Sequence, residues 1–214
     1  MQIPLFPLGT VLFPGGWLPL QIFEVRYLDM VQRCRREGLP FGVVCLSEGS
    51  EVRRLAPQAS EPVDAPVAFH PVGTLARIAE FTQPMPGLLH IGCVGGERFQ
   101  IRHSQQLPHG LWMAEVEPLP ADLPTPIPDE LQPISATLRQ LRERLRNAQP
   151  EALGPAASAD PASGGWQDAG WVANRWAELL PLAPVSRQQL LAVDSPLLRL
   201  ELVGDALEQL GIAH

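Results

Sequence analysis

Residues Ile3 to Tyr27, IPLFPLGTVLFPGGWLPLQIFEVRY, carry no charge before Glu24, yet four prolines and three glycines interrupt them. A membrane-spanning helix needs about 20 helix-compatible residues, and a secretion signal needs a basic start followed by an unbroken apolar run. Pro4, Pro7, Pro14 and Pro19 would each remove a helical hydrogen bond and clash with the preceding turn, and no basic residue precedes Arg26. The stretch is therefore not expected to be a helix, an export signal or an anchor. Ile3–Phe6 and Trp17–Phe23 read instead as short strands separated by Pro-Gly-Gly, the punctuation of a chain that enters and reverses in a sheet. Proline inside such runs points to edge or bulged positions, because it cannot donate to the ladder.

From Glu24 to Glu37 the pattern changes: Phe23, Tyr27, Met30, Val31 and Cys34 recur at steps of three and four, one face of a helix that Gly38 should stop. Four β-like segments follow, Phe41–Leu46, Val72–Phe81, Leu88–Ile101 and Trp112–Leu119. The polar, Pro-rich Ser47–Pro71 between the first two is expected to be a long surface loop. The residues thus predict an α+β or barrel-like domain over 1–119. Pro120, Pro124, Pro126, Pro128 and Pro133 then make a semi-rigid connector over 120–133.

The remainder, 134–214, reads as a helical bundle. Leu131, Ile134, Leu138, Leu141 and Leu145 form a stripe with Arg139, Arg142 and Arg146 on another face, and the low-complexity Gln149–Gly165 is expected to be a mobile loop. Asp168 can cap a helix running to Leu180, Ser186 with Gln189 has the spacing of a capping box, and Ser195-Pro196 supplies an N-cap and N1 proline for a last helix with Leu200, Val203, Leu207 and Leu210 buried.

Composition narrows the chemistry. All sixteen basic residues are Arg, so a Walker A phosphate loop, a Ser-Lys dyad and Schiff-base catalysis are excluded for this sequence. A net charge of −7 argues against a phosphate backbone as the main partner. The three cysteines, Cys34, Cys45 and Cys93, are odd in number and form no CxxC pair, which suggests neither a disulfide framework nor a zinc ribbon and fits a reducing cytoplasm.

No motif in the sequence carries catalysis. Cys45-Leu46-Ser47-Glu48-Gly49 approaches a nucleophile elbow but lacks its first glycine. The five histidines have no metal spacing, and Gly92-Cys93-Val94-Gly95-Gly96 fits a β-bulge better than a phosphate cradle. No metal and no cofactor are expected. The Arg139–Arg146 face would suit nucleic acid only if aromatics interleaved it, and a solvated helix face is the better reading. Trp166, Trp171 and Trp176 read as helix core, or as a partner surface where exposed.

Two stretches together carry a family resemblance. IPLFPLGTVLFPGGWLPLQIFEVRYLDMV resembles the opening of the N-terminal, substrate-recognition domain of Lon proteases, and VGTLARIAEF with LLHIGCVGGERFQI is similar to the next part, ending in its Gly-x-x-Arg-Phe signature at Gly95 to Phe99. The segment DAGWVANRWAELLPLAPVSRQQLLAVDSPLLRLELV also resembles the family's helical part. The resemblance implies a PUA-like β-barrel followed by a helical bundle, without the ATPase and protease domains of Lon. It implies a non-enzymatic module that recognises exposed apolar segments of unfolded or flexible polypeptides, an adaptor for a protease system in protein quality control.

Phe23, Tyr27, Met85 and Phe99 are the candidate peptide-binding residues, although Phe23, Tyr27 and Phe99 would serve equally well as barrel core. Glu24, Arg26 and Arg98 are expected to be structural, an ion pair fixing helix to barrel. RNA binding is the alternative, since PUA-like barrels elsewhere bind RNA. A hydrolase built on Ser47 or Cys45 ranks last.

Overall fold

The computed structural model describes residues 1–48, 68–148 and 165–212. Most of the expected Ser47–Pro71 and Gln149–Gly165 loops lies outside the described residues; Ser47 and Glu48 still belong to a strand, Ala68 begins the next, and Gly165 opens a short 3-10 turn.

Six strands and five α-helices are seen among the described residues: β1 Gln2–Leu8, β2 Trp17–Ile22, α1 Val25–Glu37, β3 Phe41–Glu48, β4 Ala68–Met85, β5 Leu88–Gln106, β6 Trp112–Pro118, α2 Gln132–Ala148, α3 Ala169–Leu179, α4 Pro184–Ala192 and α5 Pro196–Gln209. The sheet runs β2-β5-β4-β3-β1-β6, with β6 pairing β5 as well. The pairings β1–β3–β4–β5–β6–β1 therefore return to their start, and β2 hangs on β5 outside that circuit.

The glycine-rich run bends β5 and admits the turn that precedes β2. The β4–β5 register slips between Thr74↔Arg98 and Ala76↔Gly95, a bulge that bends the strand. A Cβ at Gly95 would stand 2.1 Å from the carbonyl oxygen of Phe13, so the Phe13–Gly16 turn can close onto β5 only over a glycine. Gly15 donates to the Gly95 carbonyl (2.8 Å) and Gly95 to that of Gly16 (2.9 Å).

One core lies between α1 and the sheet, where Tyr27, Met30, Val31 and Cys34 meet Phe6, Ile22, Phe41, Leu89 and Ile91. Gly38 ends α1 in the left-handed conformation at φ 66°, as its sequence predicts. A second core joins the helices to the sheet, because Val11, Phe13, Cys45 and Val72 pack with Leu138, Val172, Trp176, Leu191 and Leu200.

Several local expectations change. The connector is tied down: Thr125 donates to the Asp168 carboxylate (2.8 Å), Ala169 to the Thr125 carbonyl (2.8 Å), and Ile127 is buried. Helix α2 starts at Gln132, with Pro133 in its first turn. Ser186 is not an N-cap, because Pro184, with φ already set for a helix, starts α4 behind Ala183. Asp168 and Ser195 do cap α3 and α5, accepting from Trp171 and Leu198. Leu210 falls at the end of α5 and is exposed, while Arg199 joins Leu200, Val203 and Leu207 in the buried stripe.

Arginine also departs from its expected place. Arg142 is buried beneath Trp171, its guanidinium 5.5 Å from the ring centre, and Arg139 lies over Trp166 at 5.1 Å, so the α2 arginines are not a free basic face. Glu24 pairs with Arg26 (2.8 Å), but Arg98 does not join them. It crosses to the helices and donates to the carbonyls of Leu191 (2.9 Å) and Val193 (3.1 Å). The expected helix-to-barrel lock is thus a lock between β5 and the segment joining α4 to α5.

A third arginine, Arg175 on α3, holds the Phe13–Gly16 turn by donating to the carbonyls of Gly15 (2.6 Å) and Pro14 (2.7 Å) and to the Glu178 carboxylate (2.9 Å). Burial outweighs the attraction of Arg175, Arg142 and Arg187 and pushes the Glu178 carboxyl up to about 7, even with 26% of the side chain exposed. A carboxyl raised in the folded state binds a proton that the unfolded chain has released, so its stability contribution is present below pH 4.5 and is lost as pH rises to about 7. Thermal melts of the parent and Glu178→Gln should therefore diverge as pH rises from 5 to 8, the variant gaining about 5 °C on the parent. Parallel curves would contradict the raised carboxyl.

Candidate apolar groove at the sheet end

The groove forms where β2 hands over to α1. Leu18, Leu20 and Ile22 alternate onto the α1 core, and the chain must then turn to start the helix. Glu24 occupies the N-cap with extended backbone, but its carboxylate pairs with Arg26 instead of capping. Phe23, one residue earlier, is left outside the core at 57% exposure. Beside it opens a groove of about 190 Å³ lined by Phe6, Leu8, Leu20, Ile22, Phe23 and Tyr27 among others. Its interior is set by aromatic packing: Phe6 stacks on Tyr27 at 4.1 Å between ring centres, and the Arg26 guanidinium covers Tyr27 at 4.6 Å.

The register brings further apolar surface to the same end. Ile22 stands opposite Leu89 on β5, and Met85 on β4 opposite Leu88. Phe23, which follows Ile22, and Met85 therefore lie toward the same end of the sheet, on either side of β5. Met85, at the hairpin turned by Gly87 (φ 81°), is 57% exposed, and Val25 on the first turn of α1 is also exposed.

The other two sequence-predicted residues are placed differently. Tyr27 is 3% exposed and forms groove wall rather than surface. Phe99 is fully buried: its ring fills the space over Gly42 and Gly73, where a Cβ would come within 2.7 and 2.6 Å of it. Phe99 is thus core, as its alternative reading allows, and does not reach the groove. Leu20 and Phe6 belong to the groove and were missed by sequence reasoning, because an apolar strand residue reads as core until the neighbouring element stops short of covering it.

The β2 edge limits how a peptide could add. The Gly95–Gly16 bond fixes the alternation, so Leu18, Leu20 and Ile22 turn their backbone groups to β5 while Trp17, Pro19 and Gln21 turn theirs to the open edge. Pro19 offers no N–H there. Side-chain capture in the groove is better served than a continuous added strand.

The three cysteines are held as thiols. Burial raises the thiols of Cys34 and Cys45 and pushes that of Cys93 up to about 12, which removes the thiolate a nucleophile needs. Ser47 lies exposed on β3. Among the described residues no group of three metal-capable side chains is found, and no helix is long and apolar enough to cross a membrane.

The fold and groove define a mixed α+β domain that presents an apolar hollow at one end of its sheet. Residues 2–209 match the family model described as the ATP-dependent protease La (LON) substrate-binding domain, and the chain belongs to that family. A Lon N-terminal domain protein from Xanthomonas campestris has a similar structure, with TM-score 0.72 and 30% identity over 96% of this chain and 98% of that one. The N-terminal domain of a Mycobacterium avium complex Lon protease shares the fold at TM-score 0.60 and 16% identity, covering 97% of this chain and 98% of that one. Among full-length relatives, the Lon protease of Phenylobacterium zucineum is 28% identical over 95 residues, 44% of this chain but only 11% of that protein.

Proposed function

We propose that this chain is a non-enzymatic module that holds exposed apolar segments of unfolded polypeptides and serves as an adaptor in cytoplasmic protein quality control. The observation that carries this reading is the groove itself: an open hollow lined mainly by apolar side chains, with Phe23 exposed in its wall. Exposed apolar side chains gathered in one place are costly to a soluble surface and mark interaction sites. In this reading the closed circuit of pairings is a PUA-like barrel over residues 1–119, with 120–133 as connector and 134–214 as a helical bundle.

Phe23 would act as the movable outer wall, Tyr27 as the fixed interior and Met85 as an adaptable rim, since an unbranched thioether fits varied partners. Low sequence selectivity follows, because a hollow of about 190 Å³ admits one or two side chains and few polar groups fix their identity.

The test is fluorescence anisotropy of a labelled, permanently unfolded polypeptide titrated with the full chain, in competition with structured RNA at two salt concentrations. Binding that resists RNA and salt, and weakens about tenfold or more in Phe23→Asp, is the expected result. Salt-sensitive binding displaced by RNA would replace this reading with the nucleic-acid one.

A further inference from the structure

A second hollow flanks α1 on its far half, and none of the functional reading above uses it. It measures about 420 Å³, lies between α1 and β4, and is lined by Gln32, Arg35, Arg36, Phe81 and Gln83. None of these five lining side chains is acidic, in a chain of net charge −7.

The donors there are arranged rather than scattered. The Arg35 guanidinium lies over the Phe81 ring at 3.9 Å from its centre. Stacking fixes the plane of the guanidinium and leaves its N–H edges directed sideways, ready for an acceptor. Arg36 reaches the adjacent Glu37 only at 3.5 Å, the outer limit of a hydrogen bond, and its side chain is 73% exposed. Glu37 is engaged more closely by Arg33 at 3.2 Å, the chief reason its carboxyl is held below the ordinary value. Arg36 is thus loosely neutralised, and the carboxamides of Gln32 and Gln83 bring further N–H donors to the same space.

The rim limits the size of the anion. Asp29 stands three residues before Gln32 on the same helix face, and Glu37 follows Arg36. These carboxylates oppose an extended polyanion such as a nucleic-acid backbone and leave room for one small oxyanion. We propose that this cleft binds a single carboxylate, held between the guanidinium groups of Arg35 and Arg36 with the Gln32 and Gln83 amides completing its donors.

Its source is then a polypeptide, an extension that rests on the functional reading above. Leu20, Ile91 and Phe81 stand in one row across β2, β5 and β4, which sets the groove and the cleft about 10 Å apart at the level of the sheet. Ile91 between them is buried under α1, so a segment joining the two must go round that core and needs more than the roughly three residues of a straight path. A segment with an apolar residue in the groove and an acidic side chain or chain terminus nearby would engage both.

NMR of the arginine Nε–H groups of the full chain tests this with four probes: acetate, inorganic phosphate, and a peptide of one Phe followed by five Gly-Ser repeats, with a free or an amidated C-terminus. Acetate should shift the Arg35 and Arg36 signals saturably, and Arg36→Gln should weaken that response about tenfold with an unchanged melting temperature. The free-acid peptide should bind about tenfold more tightly than acetate and the amidated one should leave both signals in place. Phe23→Asp should remove the peptide's advantage but keep the acetate response, so the cleft and the groove fail separately. An absent acetate response, or saturation by phosphate alone, would overturn the carboxylate site; an acetate response without any peptide advantage would overturn its link to polypeptide.

Discussion

Arg199→Ala is expected to destabilise the protein by about 3–5 kcal/mol, lowering Tm by roughly 10 °C. Arg199 is fully buried on α5 and donates to the Asp122 carboxylate (2.5 and 3.2 Å), to the Asn174 side-chain oxygen (3.1 Å) and to the Val193 carbonyl (2.6 Å). It therefore joins the connector, α3 and the α4–α5 segment at one point. Truncation takes the Arg199 donor from the Asn174 oxygen, leaves Asp122 and the Val193 carbonyl with only their longer Arg98 contacts, and opens a cavity the size of a long side chain. Arg98, also buried, is held near the same Asp122 (3.5 Å) and Asp194 (3.4 Å), and burial together with the Arg199 charge lowers its pKa. Two guanidinium groups sharing one carboxylate make the lock sensitive to Asp122 as well. Asp122→Asn should reproduce a large part of the loss, and a double variant should show strong non-additivity. Melting curves for the three proteins check this; additive, small effects would mean that the cluster contributes little to holding helices on sheet.

Gly95→Ala should cost about 3 kcal/mol, while Gly96→Ala one residue later should cost less than about 1. A methyl at Gly95 would stand 2.1 Å from the Phe13 carbonyl oxygen, and backbone on both sides prevents relief by a rotamer change. The displaced turn would also lose the two backbone bonds to Gly15 and Gly16 and loosen the Arg175 clamp behind it. At Gly96 the nearest atom, the Leu75 carbonyl oxygen, lies at 3.3 Å and requires only a small shift. Chemical denaturation of both variants gives the comparison, and equal midpoints would show that the turn is free to move away from β5.

Local signals in the sequence translated directly into structure, because each depends on a few neighbouring atoms. Gly38 stops α1, Asp168 and Ser195 cap their helices, and the Pro-Gly-Gly turn separates β1 from β2. Ser186 misled for the same local reason, since a proline two residues earlier was the stronger start signal.

What sequence could not rank was burial among residues of one type. Phe23, Phe81 and Phe99 are all phenylalanines in apolar strands or at their ends. Phe99 is enclosed because two glycines on other strands make room for its ring, whereas Phe23 is exposed because the chain turns there. Buried arginines are hidden in the same way: nothing beside Arg199 or Arg142 distinguishes them from Arg139 until the partners Asp122 and Trp171 come together in space. The groove is half legible for this reason. Phe23 and Tyr27 are legible from their positions near the family motifs, while Phe6 and Leu20 need the fold.

Exposure alone does not make a binding surface, and this separates the account from its simplest rival. Leu123 in the connector is 79% exposed, more than Phe23, but lines neither hollow. The most direct measurement places a photo-crosslinking amino acid at position 23 in one protein and at position 123 in another, and irradiates each with the same unfolded polypeptide. The groove predicts strong crosslinking from 23 and little from 123; equal yields, or yield from 123 alone, would contradict it.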